Sequence, residues 1–253
     1  MNGQIIYFDH NAALDVMSSR DPALTEAVEK ARSLGAKFVY SPAHMEEVAN
    51  ILRSPKLTSE QCWAHVQEHL QFFSGFTDNW EFLPGQRNPV ILKQESPEVC
   101  FGRVIVDYDL TLFAEDEADK ERENIEEQRT KEPPLDVFEL PEIAERIDNL
   151  LFYNHFDEPV RGHDLRLAHS PAVWMIHLCF QCLSEFGYGL ESKNKTRSAI
   201  HDVTHSIYGL NADVFVSKDR RLLGKAKATY QFLSAPSTVL STEEFVAHVR
   251  SNS

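Results

Sequence analysis

The chain has 253 residues, with 25 Lys+Arg against 39 Asp+Glu, a formal net charge of −14 and 42% hydrophobic residues. That length suits one large domain or two small ones at roughly 150 residues each, and the apolar share is sufficient for a buried core. The acidic excess argues against a general binder of polyanions, no run approaches the roughly 18 apolar residues of a membrane span, and cysteines at 62, 100, 179 and 182 are too few and too irregular for a disulfide scaffold.

The opening residues lack the basic and long apolar segments of a secretory leader, so a reduced, cytoplasmic protein is expected. Charge is unevenly spread. Residues 115–148 hold 14 acidic and 5 basic side chains, whereas 191–230 hold 8 basic and 4 acidic. A small basic rim beside an acidic pocket is therefore compatible with the overall charge.

In chain order, Ile5-Ile6-Tyr7-Phe8 reads as a short buried strand that ends at Asp9. A helix start follows over 11–17. Asp21-Pro22 supplies a cap and a first-turn proline for a second helix, with Leu24, Val28 and Ala31 at helical spacing and Gly35 at its end. Lys37-Phe38-Val39-Tyr40 is a second strand. Ser41-Pro42 repeats the capping signal before a stripe of Met45, Val48, Ile51 and Leu52. This β-α-β-α opening predicts a parallel sheet.

A helix is predicted over 58–73, loops or a hairpin over 86–106, a charge-dense helix over 115–131 ended by Pro133-Pro134, a helix around Ile143, Ile147, Leu150 and Leu151, and a buried apolar helix over 171–186. The last quarter returns to the alternation of the opening. A helix runs from Thr196 or Ser198 through Tyr208, followed by a strand over 212–217, a short basic helix over 220–228 and a strand at Tyr230-Gln231-Phe232-Leu233. A capping box at Ser241-Thr242-Glu243-Glu244 precedes a terminal helix. The expected architecture is one α/β domain over 1–253, its core 1–57 and 190–253 interrupted by a mostly helical insertion at about 58–189.

Several carboxylates fall at the ends of predicted strands or in the helix turns that follow them. Asp9 ends the first strand, Glu46 and Glu47 open the helix after the second, Asp202 lies early in a late helix, and Asp219 follows the 212–217 strand. In a parallel sheet the carboxyl ends of strands and the helix starts that follow them share one edge, so Asp9, Glu47 and Asp219 could converge. Converged carboxylates repel unless a cation neutralises them, and oxygen donors suit a hard divalent ion such as Mg²⁺ or Mn²⁺. Taken singly, each acid reads first as a helix cap or surface charge.

Five segments resemble the PIN-domain family of metal-dependent nucleases. Ile5-Ile6-Tyr7-Phe8-Asp9-His10-Asn11 is similar to that family's first strand and acid. Ser41-Pro42-Ala43-His44-Met45-Glu46-Glu47-Val48 resembles its second motif, whose register selects Glu47, six residues after the serine. Ile200-His201-Asp202-Val203 resembles the third acid, and Ala212-Asp213-Val214-Phe215-Val216-Ser217-Lys218-Asp219 the strand running into Ser-x-Asp. Val239-Leu240-Ser241-Thr242-Glu243-Glu244-Phe245 is similar to the family's final strand and helix.

The resemblance covers roughly residues 1–55 and 195–250. It implies a PIN-like three-layer fold and hydrolysis of single-stranded or structured RNA, leaving 5′-phosphate and 3′-hydroxyl ends. Asp9, Glu47, Asp202 and Asp219 would hold Mg²⁺ or Mn²⁺, with Asn11, Ser217 and His205 orienting them. Lys195, Arg197, Lys218 and Arg220 would contact phosphates. A homodimer or an inhibitory protein partner would suit the family. The acidic stretch 115–131 is expected to lie away from the Asp9 edge or to cover it.

Other readings stand beside this one. Val104-Ile105-Val106-Asp107-Tyr108-Asp109-Leu110-Thr111 fits the Asp-x-Asp-x-Thr signature of haloacid-dehalogenase-like phosphatases, in which a strand would present Asp107 as nucleophile and Asp109 as acid/base. Cys62, His65 and His69 on one helix face, and Cys179 with Cys182, read as zinc ligands or as core packing. His201 and His205, one turn apart, could tune a metal site or simply cap and pack. A PIN-like scaffold that binds RNA or protein without cleaving is a further alternative.

Overall fold

The computed structural model describes residues 1–85, 88–106, 132–189 and 196–252, without the side chains of 196–199. The chain opens with β1 (Ile5–Phe8), α1 (His10–Met17), α2 (Pro22–Ser33), β2 (Lys37–Val39) and α3 (Pro42–Asn50). The middle holds α4 (Ser59–Thr77), the strands β3 (Trp80–Leu83) and β4 (Ile91–Gln94), a helix α5 over 97–106, then α6 (Pro141–Tyr153) and α7 (His169–Glu185). The chain closes with α8 (Thr196–Gly209), β5 (Val214–Ser217), α9 (Arg220–Phe232), β6 (Thr238–Ser241) and α10 (Thr242–Ser251).

Local chemistry sets these boundaries. Asp21 caps α2 by accepting from the amides of Ala23 and Leu24 at 3.0 and 3.1 Å. Gly35 leaves that helix with φ +85°, and a Cβ there would stand 2.8 Å from Asn2 Oδ1, so backbone and space both select glycine. Thr58 starts α4 by accepting from the Gln61 amide, with the Gln61 side chain returning the contact.

The fold is α/β. Four parallel strands form one sheet in the order β2-β1-β5-β6. Side chains alternate across it. Tyr7, Val39, Phe215 and Val239 face a core built with α6, α7, α8 and α9. Ile6, Phe8, Phe38, Val214 and Val216 face a second core with α1, α2, α4, α5 and α10. Helices thus cover both faces, which is why the strands read as unbroken apolar runs. Among the described residues no helix is long and apolar enough to cross a membrane.

The β3/β4 hairpin joins the β2 edge through Tyr40, whose amide donates to Trp80 O at 2.9 Å and whose carbonyl accepts from Phe82 N at 2.8 Å. Helix α5 is fastened to this hairpin by Arg103, which donates to Glu81 Oε1 at 2.7 Å and also to Glu95.

Two expectations are corrected. Tyr230-Gln231-Phe232-Leu233 is not a strand: the first three residues form the last turn of α9. Leu222, Leu223, Ala226, Thr229 and Tyr230 are its buried stripe, and a short apolar run at a helix end mimics a strand. Residues 97–106, expected as loop or hairpin, are helical, with Pro97 in the first turn and Cys100 and Phe101 buried. The expected helix over 115–131 lies outside the described residues.

Candidate functional site

The strand order reverses between β1 and β5, which makes the carboxyl edge of that pair the topological switch point of the sheet. In open α/β sheets that crevice is where ligands bind. Asp9 follows β1 there and caps α1, while Asp219 follows β5 and caps α9. Beside them lies a small cleft lined by Asp9, His10, Asn11, Glu47, His201, Asp202 and His205. Three of the four predicted acids therefore line one cleft, though the sequence separates Asp9 from Asp202 by most of the chain.

Asp9 is 3% exposed. Its Oδ1 accepts from the Ala12 amide at 2.7 Å and its Oδ2 from the Ser217 hydroxyl at 2.5 Å. Burial pushes its carboxyl up to about 7, against those two hydrogen bonds and with help from the Glu47 and Asp219 charges. Ser217 also accepts from the Asp219 amide at 3.0 Å, so one hydroxyl ties both strand-end acids together. Asp219 does not line the cleft itself, and its Oδ1 is engaged by the amides of Arg221 and Leu222.

Glu47 Oε1 accepts from His205 Nε2 at 2.7 Å. Glu46 Oε2 lies 3.8 Å from His201 Nδ1, and Glu46 does not line the cleft. Adjacent helix positions differ by about 100° around the axis, so the two glutamates cannot serve one centre equally. Asp202 lines the cleft from α8. Burial above all pushes the imidazoles of His10, His44 and His205 down to about 3, which leaves these rings neutral around the carboxylates at pH 7.

The remaining predicted residues divide. Asn11 lines the cleft, but among the described residues no hydrogen bond joins it to any of the four acids. Lys218 is ion-paired with Asp15 at 2.7 Å. Arg220 is exposed at the start of α9. Lys195 lies outside the described residues, and for Arg197 only the backbone in α8 is described. Tyr7, Ser41 and His44 contact the site through hydrogen bonds that sequence reasoning missed. A phenol in the middle of an otherwise apolar strand was the available signal.

The competing motifs fare differently. Residues 104–106 belong to α5, not to the strand that a phosphatase nucleophile needs, and Asp107 and Asp109 lie outside the described residues. Cys62 is buried, His65 contacts Glu68, and His69 stacks on His10, so this trio does not converge. Cys179 and Cys182 are buried in α7, where burial raises the first thiol well above its ordinary value and the second to about 12. A zinc ligand needs the thiolate, which that environment disfavours.

Among the described residues no three His, Cys, Asp or Glu groups are set closely enough to cage a metal ion. The donors that line the cleft are carboxylate oxygens beside neutral imidazoles, and among the described residues no cationic side chain is paired with the buried Asp9. That chemistry fits a hard, largely hydrated ion held by one or two carboxylates, as Mg²⁺ commonly is, and not a closed cage.

Fold and cleft together define an α/β protein with an acidic pocket at the switch point of its sheet. Comparison with protein-family models, with curated proteins and with solved structures finds no match for this chain.

Proposed function

We propose that this protein is a divalent-metal-dependent ribonuclease with a PIN-like arrangement of acids. The observation that carries the reading is the convergence of Asp9, Glu47 and Asp202 on one cleft, with Asp219 tethered to Asp9 through Ser217. Uncompensated carboxylates raise one another's proton affinity, and a bound cation removes that penalty. Mg²⁺ or Mn²⁺, when bound, supplies an activated water and neutralises charge on a phosphodiester. Asp9 and Glu47 would hold the ion, with Asp202 and Asp219 reaching it through water. Ser217 and His205 orient the acids. Arg220, exposed beside the Asp219 cap, would contact a substrate phosphate. The four cysteines are buried free thiols, which suits a reducing cytoplasm.

The test is Mn²⁺-dependent cleavage of a single-stranded RNA by the whole chain, run beside Mn²⁺ titration and anomalous scattering from soaked crystals. Glu47→Gln is expected to eliminate turnover with little change in metal-free melting temperature. Glu46→Gln should keep most activity and, because α3 has no acid in its first turn, change the melting temperature little. If Glu46→Gln is the dead variant, the register is wrong by one residue. If the wild-type chain binds Mn²⁺ nowhere near Asp9, the non-catalytic scaffold reading replaces the enzyme.

A further inference from the structure

Tyr7 sits at the centre of β1 with no exposed surface, against the rings of Phe82, Tyr208 and Phe215. Phenylalanine would fill that core position with no polar atom to satisfy, and an unpaired buried hydroxyl is costly. The hydroxyl is fully used. It lies 2.7 Å from His205 Nδ1 and 2.7 Å from Ser41 Oγ.

The direction of each bond follows from donor arithmetic. A carboxylate only accepts, so His205 Nε2 carries the ring hydrogen and donates to Glu47 at 2.7 Å. His205 Nδ1 then accepts from Tyr7, and Tyr7 accepts from Ser41. Burial keeps the Tyr7 phenol protonated, as its donor role requires. The same serine's amide donates to His44 Nδ1 at 3.1 Å, which leaves His44 Nε2–H to donate to Phe8 O at 2.9 Å, one residue before Asp9. The network joins β1, which runs into Asp9, to α3 and α8, which carry Glu47 and Asp202.

We propose that Ser41, Tyr7 and His205 form a buried positioning relay that fixes the Glu47 carboxylate in the orientation a divalent ion requires. The relay rests on the ion-binding reading above. Its members are positioning residues that act through Glu47. Outer groups of this kind set the orientation of a ligand and typically contribute 10- to 100-fold to metal affinity. The Glu47 carboxylate fixes the His205 tautomer, and the Tyr7 hydroxyl, donating to Nδ1, holds the ring in the orientation that presents Nε2 to Glu47.

A pair of substitutions at one site separates positioning from packing. In His205→Gln the amide nitrogen falls where imidazole Nε2 stood and still donates to Glu47. In His205→Asn the amide reaches only the Nδ1 position, so the Tyr7 contact survives and the Glu47 contact is lost. Mn²⁺ affinity is measured for the whole chain by titration, with metal-free melting curves reporting the fold. We expect His205→Asn to weaken Mn²⁺ binding about 100-fold, and His205→Gln, which keeps the Glu47 contact but loses that to Tyr7, about 10-fold. Tyr7→Phe, which keeps the ring packing, should weaken it about 10-fold and decides the matter if the asparagine variant does not fold. Equal shifts for Asn and Gln, or an unchanged affinity in Tyr7→Phe, overturn the relay while leaving the ion site standing. A wild-type chain that binds no Mn²⁺ overturns the ion site, and the relay's role falls with it.

Discussion

Asp9→Asn is expected to abolish Mn²⁺ binding and RNA cleavage while making the metal-free protein more stable at pH 8. The carboxyl of Asp9 is 3% exposed and is pushed up to about 7 by burial, with the Glu47 and Asp219 charges adding to it. Its unfolded value is about 3.9. Between those values the folded state holds a proton that the unfolded state has released, so stability falls as pH rises from about 4 to about 7. Above that window the buried charge costs on the order of 4 kcal/mol. Asparagine removes the charge and keeps the geometry. Its Oδ1 accepts from the Ala12 amide as Asp9 does, and asparagine is among the best N-caps. The melting temperature of Asp9→Asn should therefore exceed wild type by on the order of 10 °C at pH 8 and by little at pH 4. Mn²⁺ should raise the wild-type melting temperature and leave the variant's unchanged. A variant no more stable at pH 8 than at pH 4, relative to wild type, would show that Asp9 is not an uncompensated buried charge.

Arg103→Met carries the largest expected loss of stability. Glu81 is completely buried in β3, and Arg103 of α5 donates to it at 2.7 Å. Removing the guanidinium leaves a charge with no counterion inside the protein, and breaking such a pair typically costs 3–5 kcal/mol. Arg103 is itself 41% exposed, so solvent screens part of the loss and about 3 kcal/mol is expected. Glu81→Met in the Arg103→Met background should recover most of it, because an apolar pair of similar volume is often no less stable than the ions. Denaturant melts of the two single variants and the double variant give the coupling directly. A cost below about 0.5 kcal/mol for Arg103→Met would place this contact with ordinary surface pairs. Mn²⁺ binding well below the melting temperature should be unaffected, since the pair anchors the hairpin and not the acids.

The parts of the fold that the sequence displayed are those where one local rule acts alone. Ile5-Ile6-Tyr7-Phe8 is short, apolar and β-rich because both faces of its strand are covered. Asp21-Pro22 and Ser241-Thr242-Glu243-Glu244 announce helix starts through capping chemistry, and Ser41-Pro42 does so through a first-turn proline. Asp9, Glu47 and Asp219 could be drawn to one edge because strand ends and the helices after them share it, whereas Asp202 is marked only by the family resemblance. The rest depends on partners distant in sequence. Tyr230 and Phe232 resemble a strand until α9 is seen to continue through them. The helix over 97–106 is hidden by Pro97 and Gly102, and is fastened by Glu81 of another element. Nothing near Tyr7 in sequence tells that its hydroxyl lies between Ser41 and His205. That asymmetry is physical: caps and periodicity are local, whereas a buried polar atom is explained only by what lies across the core.

The hydrogen bond between Ser217 and Asp9 spans 208 residues, and β1 is completed on one side only when β5 arrives. At roughly 5–20 residues per second, Ser217 is synthesised on the order of 10 to 40 seconds after Asp9. During that interval the emerging chain carries Asp9 and Glu47 without Asp202, Ser217 or Asp219. The cleft is therefore absent while the polypeptide is still threaded through the ribosome beside its own message. The proposed activity against RNA would begin only after translation of almost all of these residues, so the topology would separate the protein's birth from its function in time.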